Sequence, residues 1–262
     1  MIPAPRRSVS DLVALLRARF PASKHLREGP ALAFEFAGES YSLPGFIFSG
    51  PNGGAEPIRI GIFAAIHGDE PATASGLVKF AELLDQGPDL ARDFLLHLFP
   101  VCNPTGFEDG ARFSRAGLDL NREFWKNSTQ PEVQLLEKEL RAHRFDGIIS
   151  LHADDTTDGV YGFAHGATLT EALIEPALRA AELFLPRNKN ALIDGFEAQD
   201  GIIRAGYQGI LRAPPEAQPR PFELIFETPH LAPIALQEQA IIVALLSVLA
   251  EYRKMVSYAA NL

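Results

Sequence analysis

The chain has 262 residues and a single cysteine, Cys102, so no disulfide can form within it. Cys102 follows an apolar, strand-like run, where a lone cysteine reads as a small buried hydrophobe rather than a reactive thiol. Positive charge is also scarce. Lys and Arg number 24 against 33 Asp and Glu, a formal net charge of −9 and a pI near 5.3. That balance argues against nucleic acid as a partner. No run of about 18 apolar residues goes uninterrupted, as a membrane-spanning helix requires. The segment from Met1 to Arg7 leads into no apolar signal core. There is no internal repeat and no low-complexity tract. These absences predict one cytoplasmic globular domain over residues 1–262, with no membrane or nucleic-acid partner.

What is present is apolar content of 47%, enough for a sizeable core. Residues 8–19 predict a short amphipathic helix with serines available as caps. Residues 31–37 and 41–48 predict two strands of a hairpin around Gly38-Glu39-Ser40, so residues 1–50 form a helix and hairpin leading into the main body. Strands are then expected at 58–66, 94–100, 147–151 and 222–226. Helices are expected at 71–85, 131–143, 169–185 and 233–257. His97 reads as a strand-face residue. Two stretches, 101–130 and 186–221, show little periodicity and much glycine or proline. Strands alternating with helices predict a single α/β domain with a mixed, mostly parallel sheet.

Ionisable residues gather where the predicted strands stop. His67-Gly68-Asp69-Glu70 follows the strand at 58–66 and precedes Pro71, a residue suited to the first turn of a helix. His67 and Glu70 are about one helical turn apart, so an imidazole nitrogen and a carboxylate oxygen can face one point. His152 ends the strand at 147–151, and Glu227 ends the strand at 222–226, before Thr228-Pro229. Side chains at neighbouring carboxyl ends of one sheet converge whatever their sequence separation. Two histidines and a carboxylate make a catalytic zinc set with a position left for water, so His67, Glu70 and His152 are the candidate ligands of one Zn²⁺ ion. Glu227 is then the candidate general base and acid. Glu223 lies on the same strand as a competitor, and Asp154 and Asp155 beside His152 need be no more than solvated loop charges.

The stretch from Asn103 to Arg122 supplies the substrate side. A guanidinium fork binds a carboxylate in two places at once, so Arg122 with the Asn121 amide is a candidate clamp for a terminal carboxylate. Arg112 is placed to face an oxygen that becomes negative during attack. Asp119 is placed to accept the second ring N–H of a zinc-binding histidine.

These pieces, in this order, resemble the zinc metallocarboxypeptidases of the carboxypeptidase A type. The matching motifs are His67-Gly68-Asp69-Glu70 (H-x-x-E), Asn103-Pro104-Thr105-Gly106-Phe107 (N-P-x-G-F) and Gly117-Leu118-Asp119-Leu120-Asn121-Arg122. Ser150-Leu151-His152 and Phe226-Glu227-Thr228-Pro229 complete the set. The resemblance implies a sheet of about eight strands with helices on both faces. It also implies zinc bound by His67, Glu70 and His152, and Glu227 as catalytic glutamate. By position Arg112 looks like the carbonyl-polarising arginine, with Arg115 as its competitor. Asn121 and Arg122 look like the carboxylate clamp, Asp119 like the partner of His67, and Tyr207 like the family's mobile tyrosine. Only 81 residues separate Glu70 from His152. That compactness is similar to bacterial murein-peptide carboxypeptidases, and to aspartoacylase and succinylglutamate desuccinylase.

The function expected is a zinc-dependent metallocarboxypeptidase acting on a short peptide with a free carboxylate. The enzymatic alternative is a zinc-dependent N-acyl amino acid amidohydrolase on the same scaffold. A catalytically silent peptide-binding protein is the non-enzymatic one, disfavoured because ligands and base are all present.

Overall fold

The computed structural model describes residues 6–30, 32–164 and 170–259. Its strands are β1 (Leu26–Glu28), β2 (Leu32–Phe36), β3 (Glu39–Leu43), β4 (Phe46–Ser49), β5 (Ile58–Phe63), β6 (Phe94–Phe99), β7 (Gly147–Asp154) and β8 (Tyr161–Ala164). They continue with β9 (Leu192–Ile193), β10 (Phe196–Gln199), β11 (Ile202–Ile203) and β12 (Phe222–Pro229). The helices are α1 (Val9–Arg17), α2 (Pro71–Gln86), α3 (Pro104–Asp109), α4 (Pro131–Ala142), α5 (Glu175–Ala181) and α6 (Ile234–Ala259). Helix starts follow local chemistry. The Ser8 hydroxyl accepts from Asp11 N at the head of α1, Asn103 accepts from Gly106 N at the head of α3, and proline opens α2 and α4.

Among the described residues ten strands form one mixed sheet in the order β1-β4-β6-β5-β7-β12-β8-β11-β10-β9, and β2 pairs with β3 in a separate ribbon. The central four, β6, β5, β7 and β12, run parallel. The chain leaves β5 for β6 on one side and returns to β7 on the other, so the carboxyl end of β5 is a topological switch point. One face of the sheet buries Leu16 of α1, Leu77 of α2, Ala177 of α5 and Leu245 of α6 in a single cluster. The other face buries Leu32 and Leu43 of the β2–β3 hairpin with Val133 and Leu136 of α4. The expected helices on both faces are therefore present. The apolar length of α6 serves this packing against α2 and α5. Cutting a side chain such as Leu77 or Leu245 back to alanine would cost about 2–5 kcal/mol.

Differences from expectation are local. The hairpin turn is at Ala37-Gly38, both at positive φ, so β3 begins at Glu39 and β4 is a separate strand that joins the main sheet. The sheet exceeds eight strands because the 186–221 stretch contributes β9, β10 and β11. Two Asp-Gly pairs, Asp194-Gly195 and Asp200-Gly201, turn that meander. All four residues have positive φ, as two-residue hairpin loops require. Helix 169–185 is instead a π-helical turn, Thr170–Ile174, followed by α5, and its expected start at Leu169 lies outside the described residues, as does Ala31 at the head of the hairpin. The 101–130 stretch holds α3 and a short 3₁₀ turn, Leu120–Arg122. Cys102 is fully buried.

Candidate active site

Leaving β5, the chain bends through Ala65, which sits at φ 46. Such a bend is costly for a residue with a Cβ and is held by neighbours. Ala65 N donates to Thr73 Oγ1 at 3.1 Å, and Asn103 N donates to Ala65 O at 3.0 Å. The bend carries His67 off the sheet and leaves Glu70 as the residue capping α2. Gly68 is required here. A Cβ on it would lie 2.0 Å from the carbonyl carbon of Gly106. The His-Gly-Asp-Glu loop and the Asn-Pro-Thr-Gly-Phe turn thus touch backbone to backbone, which explains Gly68, while a Cβ on Gly106 would instead meet the Asn103 amide and the Phe113 carbonyl oxygen. Arg7 latches the loop from outside, donating to Gly68 O at 2.8 Å.

On the other side of β5, β7 presents Ser150 and His152 on one face, two residues apart. In the β7–β12 register, His152 is directly opposite Glu227, and Tyr161 of β8 is opposite Glu227 on its other side. The two imidazole rings, from His67 and His152, stand 5.0 Å apart between centroids. Glu70 reaches both. Its Oε1 is 2.6 Å from His67 Nδ1 and its Oε2 is 3.4 Å from His152 Nδ1. One donor atom from each of the three residues lies within 4.8 Å of the others, and all three side chains are buried.

This donor set fits a metal ion. Each ring's other nitrogen is already engaged: His67 Nε2 lies 3.2 Å from Asp119 Oδ1, and His152 Nε2 lies 3.0 Å from Ser150 Oγ. Those contacts orient both rings with Nδ1 toward Glu70, and the Asp119 carboxylate, which can only accept, favours a proton on His67 Nε2. Glu70 Oε2 is buried with no hydrogen-bond partner, a costly state for a carboxylate oxygen without a cation. The electrostatics agree. Burial pulls the His67 pKa down, but the Glu70 charge and the bonds to Asp119 and Glu70 overcome it and raise it to about 9. Burial works against the Glu70 anion, yet the two histidines hold its pKa down at about 2. His152, buried with less compensation, is shifted downward. The site is built to attract positive charge beside Glu70.

Arg112 flanks this centre. Its guanidinium is 3.3 Å from His67 Nδ1 and donates to Asp119 Oδ2 at 3.1 Å. Arg115 does not join it. The three acidic groups Asp109, Glu108 and Glu39, together with Tyr41, draw the Arg115 side chain to α3 and β3 instead. Asn121 is buried, and its Oδ1 accepts from Leu211 N at 2.8 Å, so its amide NH₂ is left to face the cleft. Arg122 also lines the cleft, with its guanidinium 4.2 Å from the Tyr207 ring centroid. Glu223 is a tether, accepting from Ala213 N at 2.9 Å, and does not line the cleft. Glu227 lines it, and its pKa is raised well above the usual carboxylate range by burial first and then by the charges of Glu70, Asp154 and Asp194.

The cleft measures about 300 Å³ and holds residues that sequence reasoning missed. Asp154 is not merely a solvated loop charge. It accepts from Tyr161 OH at 2.9 Å and from Thr156 N at 2.8 Å, and it lines the cleft. Asp194, at the tip of the β9–β10 hairpin, and His230, just past β12, line it too. The Asp-Gly pair is the available signal for Asp194. For His230 there is only its place three residues after Glu227.

Comparison with known proteins gives a consistent picture. The sequence model of the succinylglutamate desuccinylase/aspartoacylase catalytic domain matches residues 57–189, half of the chain. That stretch contains His67, Glu70, Arg112, Asn121, Arg122 and His152, and ends before Tyr207 and Glu227. No curated protein matches the chain in sequence. Among solved structures, a candidate metallopeptidase from Shewanella denitrificans OS217 superposes with a TM-score of 0.73 at 22% identity, over 92% of this chain and 87% of that one. Bovine thrombin-activatable fibrinolysis inhibitor gives a TM-score of 0.70 at 15% identity, over 95% and 98%. A metallo-carboxypeptidase from Burkholderia cenocepacia gives 0.64 at 18%, over 93% and 68%. At these identities the likeness is one of fold.

Proposed function

The chain belongs to the succinylglutamate desuccinylase/aspartoacylase catalytic-domain family, and on that footing we propose that it is a zinc-dependent metallocarboxypeptidase, removing one residue from the carboxyl end of a short peptide. The observation that carries the metal-dependent part is the convergence of His67, Glu70 and His152 within 4.8 Å at the floor of a cleft. A zinc ion held by these three would lower the pKa of a water and polarise a carbonyl.

The remaining roles fall to the chain's own side chains. Glu227, across from His152 in the strand register, takes the proton from the attacking water and returns it to the leaving amine. Its raised pKa suits both tasks, because a weaker acid is a stronger base. Arg112 donates to the oxygen that turns negative as the carbonyl is attacked. Arg122 and the Asn121 amide hold the free carboxylate, with Tyr207 packed on the Arg122 guanidinium. Asp119 keeps His67 oriented.

The rival reading, an N-acyl amino acid amidohydrolase, draws support from the family match. Both readings need the carboxylate clamp. They differ at the rest of the cleft, where Asp154, Asp155 and Asp194 would repel a second carboxylate such as that of an aspartate or glutamate leaving group. The deciding experiment is metal analysis of the purified protein, then a panel of N-acetyl and N-succinyl amino acids beside dipeptides and tripeptides. Turnover confined to the acyl amino acids would overturn the peptidase reading. A protein that binds no metal would overturn both.

A further inference from the structure

Among the described residues seven other than glycine hold a positive φ, and Trp125 is the bulkiest of them; the rest are alanine, aspartate or asparagine. A left-handed backbone is uncommon for any side chain and an outlier for a large one, costing about 1–3 kcal/mol. Trp125, at φ 60, lies three residues past Arg122 and is the only tryptophan in the chain. Such a conformation persists where neighbours over-determine it, so its anchors show what it serves.

Two anchors come from α4. Glu137 Oε1 accepts from Trp125 N at 2.6 Å, and the Arg141 guanidinium lies 4.7 Å from the indole centroid. A third comes from the stretch that faces the clamp, where Arg212 O accepts from the indole Nε1 at 3.2 Å. That stretch is joined to the clamp at several further points. Phe124 N donates to Gly209 O at 3.0 Å, and Leu211 N donates to Asn121 Oδ1 at 2.8 Å. The Tyr207 ring covers the Arg122 guanidinium, whose Nη1 donates to Asn121 O at 2.9 Å. Gly209, at φ 74, lets the two backbones close, since a Cβ there would collide with the Arg122 carbonyl. Residues 121–125 and 207–212 thus form one unit. Asn121, Arg122 and Tyr207 line the cleft, and Trp125 stands outside it.

We infer that Trp125 is a positioning residue for the carboxylate clamp, holding residues 121–125 in the strained path that turns the Asn121 amide and the Arg122 guanidinium toward the cleft before substrate arrives. A negative φ at Trp125 would redirect the chain between the clamp and α4 and take the indole off Arg212. The gain is order established in advance, because a guanidinium already fixed loses less freedom when it grips a carboxylate. This deepens the clamp reading above and rests on it, and the peptidase and the amidohydrolase need that clamp alike.

The test reads binding, so it does not depend on turnover. Zinc-loaded protein is titrated calorimetrically with L-alanine and L-alaninamide, which differ at the carboxylate alone. Trp125→Phe keeps an aromatic ring but removes the donor to Arg212 O, and Gly209→Ala wedges the two segments apart from the other side. Each should weaken L-alanine about threefold to tenfold, the scale of a lost hydrogen bond, with L-alaninamide held within about twofold and one zinc kept per chain. Arg122→Ala is the reference for a lost clamp and should weaken L-alanine more than either. Full affinity for L-alanine in Trp125→Phe, or equal losses for acid and amide, would overturn the inference. Loss of zinc or of cooperative melting in both variants would overturn it too, leaving Trp125 as an anchor of the fold alone. The Arg122→Ala result keeps the two proposals apart. If that variant loses L-alanine while Trp125→Phe does not, the clamp stands and the inference falls. If it binds acid and amide as the wild type does, the clamp reading itself falls.

Discussion

Among the described residues two pairs of histidine rings lie side by side, and they behave in opposite ways. His67 and His152 stand 5.0 Å apart at the carboxyl end of the sheet, and His97 and His143 stand 4.0 Å apart on the α4 side of it. In the first pair a carboxylate, Glu70, reaches both rings, and His67 is raised to about 9. In the second pair Glu139 reaches His143 alone, at 3.2 Å. His97 Nε2 is buried with no partner, and burial, with the nearby His143, drives the His97 pKa down to about 3. Beside the second pair lies a hollow of about 690 Å³, more than twice the cleft of the first, lined by His143, Phe145 and Arg59. Its charged groups are largely spent on one another, as Arg59 is on Glu56 and Arg141 on Glu216. Size is therefore a poor guide to the chemistry here. A shared carboxylate between imidazoles makes a cation site, while the same rings without it are packing.

The most drastic way to break this contrast is at the rings themselves. His152→Ala should abolish stoichiometric zinc binding, whereas His143→Ala should keep one ion per chain, as measured by metal analysis after dialysis. Equal metal content in the two variants would erase the distinction. At the carboxylates, Glu227→Gln should keep the metal and lower kcat by about 10²–10⁴, the usual share of a general base. Glu139→Gln, beside the other pair, should leave kcat within about twofold. A Glu227→Gln enzyme with normal turnover would show the base to be elsewhere.

A smaller effect is expected from the outer contact of the first pair. Asp119→Asn keeps the shape but weakens the hold on His67 Nε2, and zinc affinity should fall about 10–100-fold in a chelator competition. Unchanged affinity would mean that Asp119 only braces Arg112. The smallest effect sharpens the second pair through pH. The folded pKa of His97, about 3, lies below its ordinary 6.5. The neutral ring is thus favoured in the fold, and that stability is fully present above about pH 6.5 and lost as pH falls toward 3. Wild-type melting temperature should drop between pH 7 and pH 4.5 by more than that of His97→Leu, since each tenfold loss of proton affinity on folding is about 1.4 kcal/mol. Parallel melting curves for the two proteins would show that His97 carries no such penalty.

Much of this is legible in the chain before it folds. The strand into His67 reads from a run of β-branched and aromatic residues, and the start of α2 from Pro71. His97 reads as packing because its neighbours on both sides are apolar. Arg115 is less legible. Arg112 and Arg115 are three residues apart in one polar loop, and nothing local separates them. Glu39, Glu108, Asp109 and Tyr41, brought together by α3 and β3, draw Arg115 away. Asp154 passes for a loop charge for the same reason, since its partner Tyr161 is reached only when β8 pairs with β12.

By itself the sequence determined which donors exist and that His67, His152 and Glu227 lie near the carboxyl ends of strands, although β7 and β12 run two residues past His152 and Glu227 because they pair with each other as far as Asp154 and Pro229. It also determined the glycine that lets the two loops meet, although not what it would meet. The tertiary structure alone decided which ring nitrogen faces Glu70, which arginine enters the cleft, and that Asp154 and Asp194 line it. Those outcomes depend on strand order and register between segments far apart in the chain, and Coulomb interactions follow distance in space, not along the backbone.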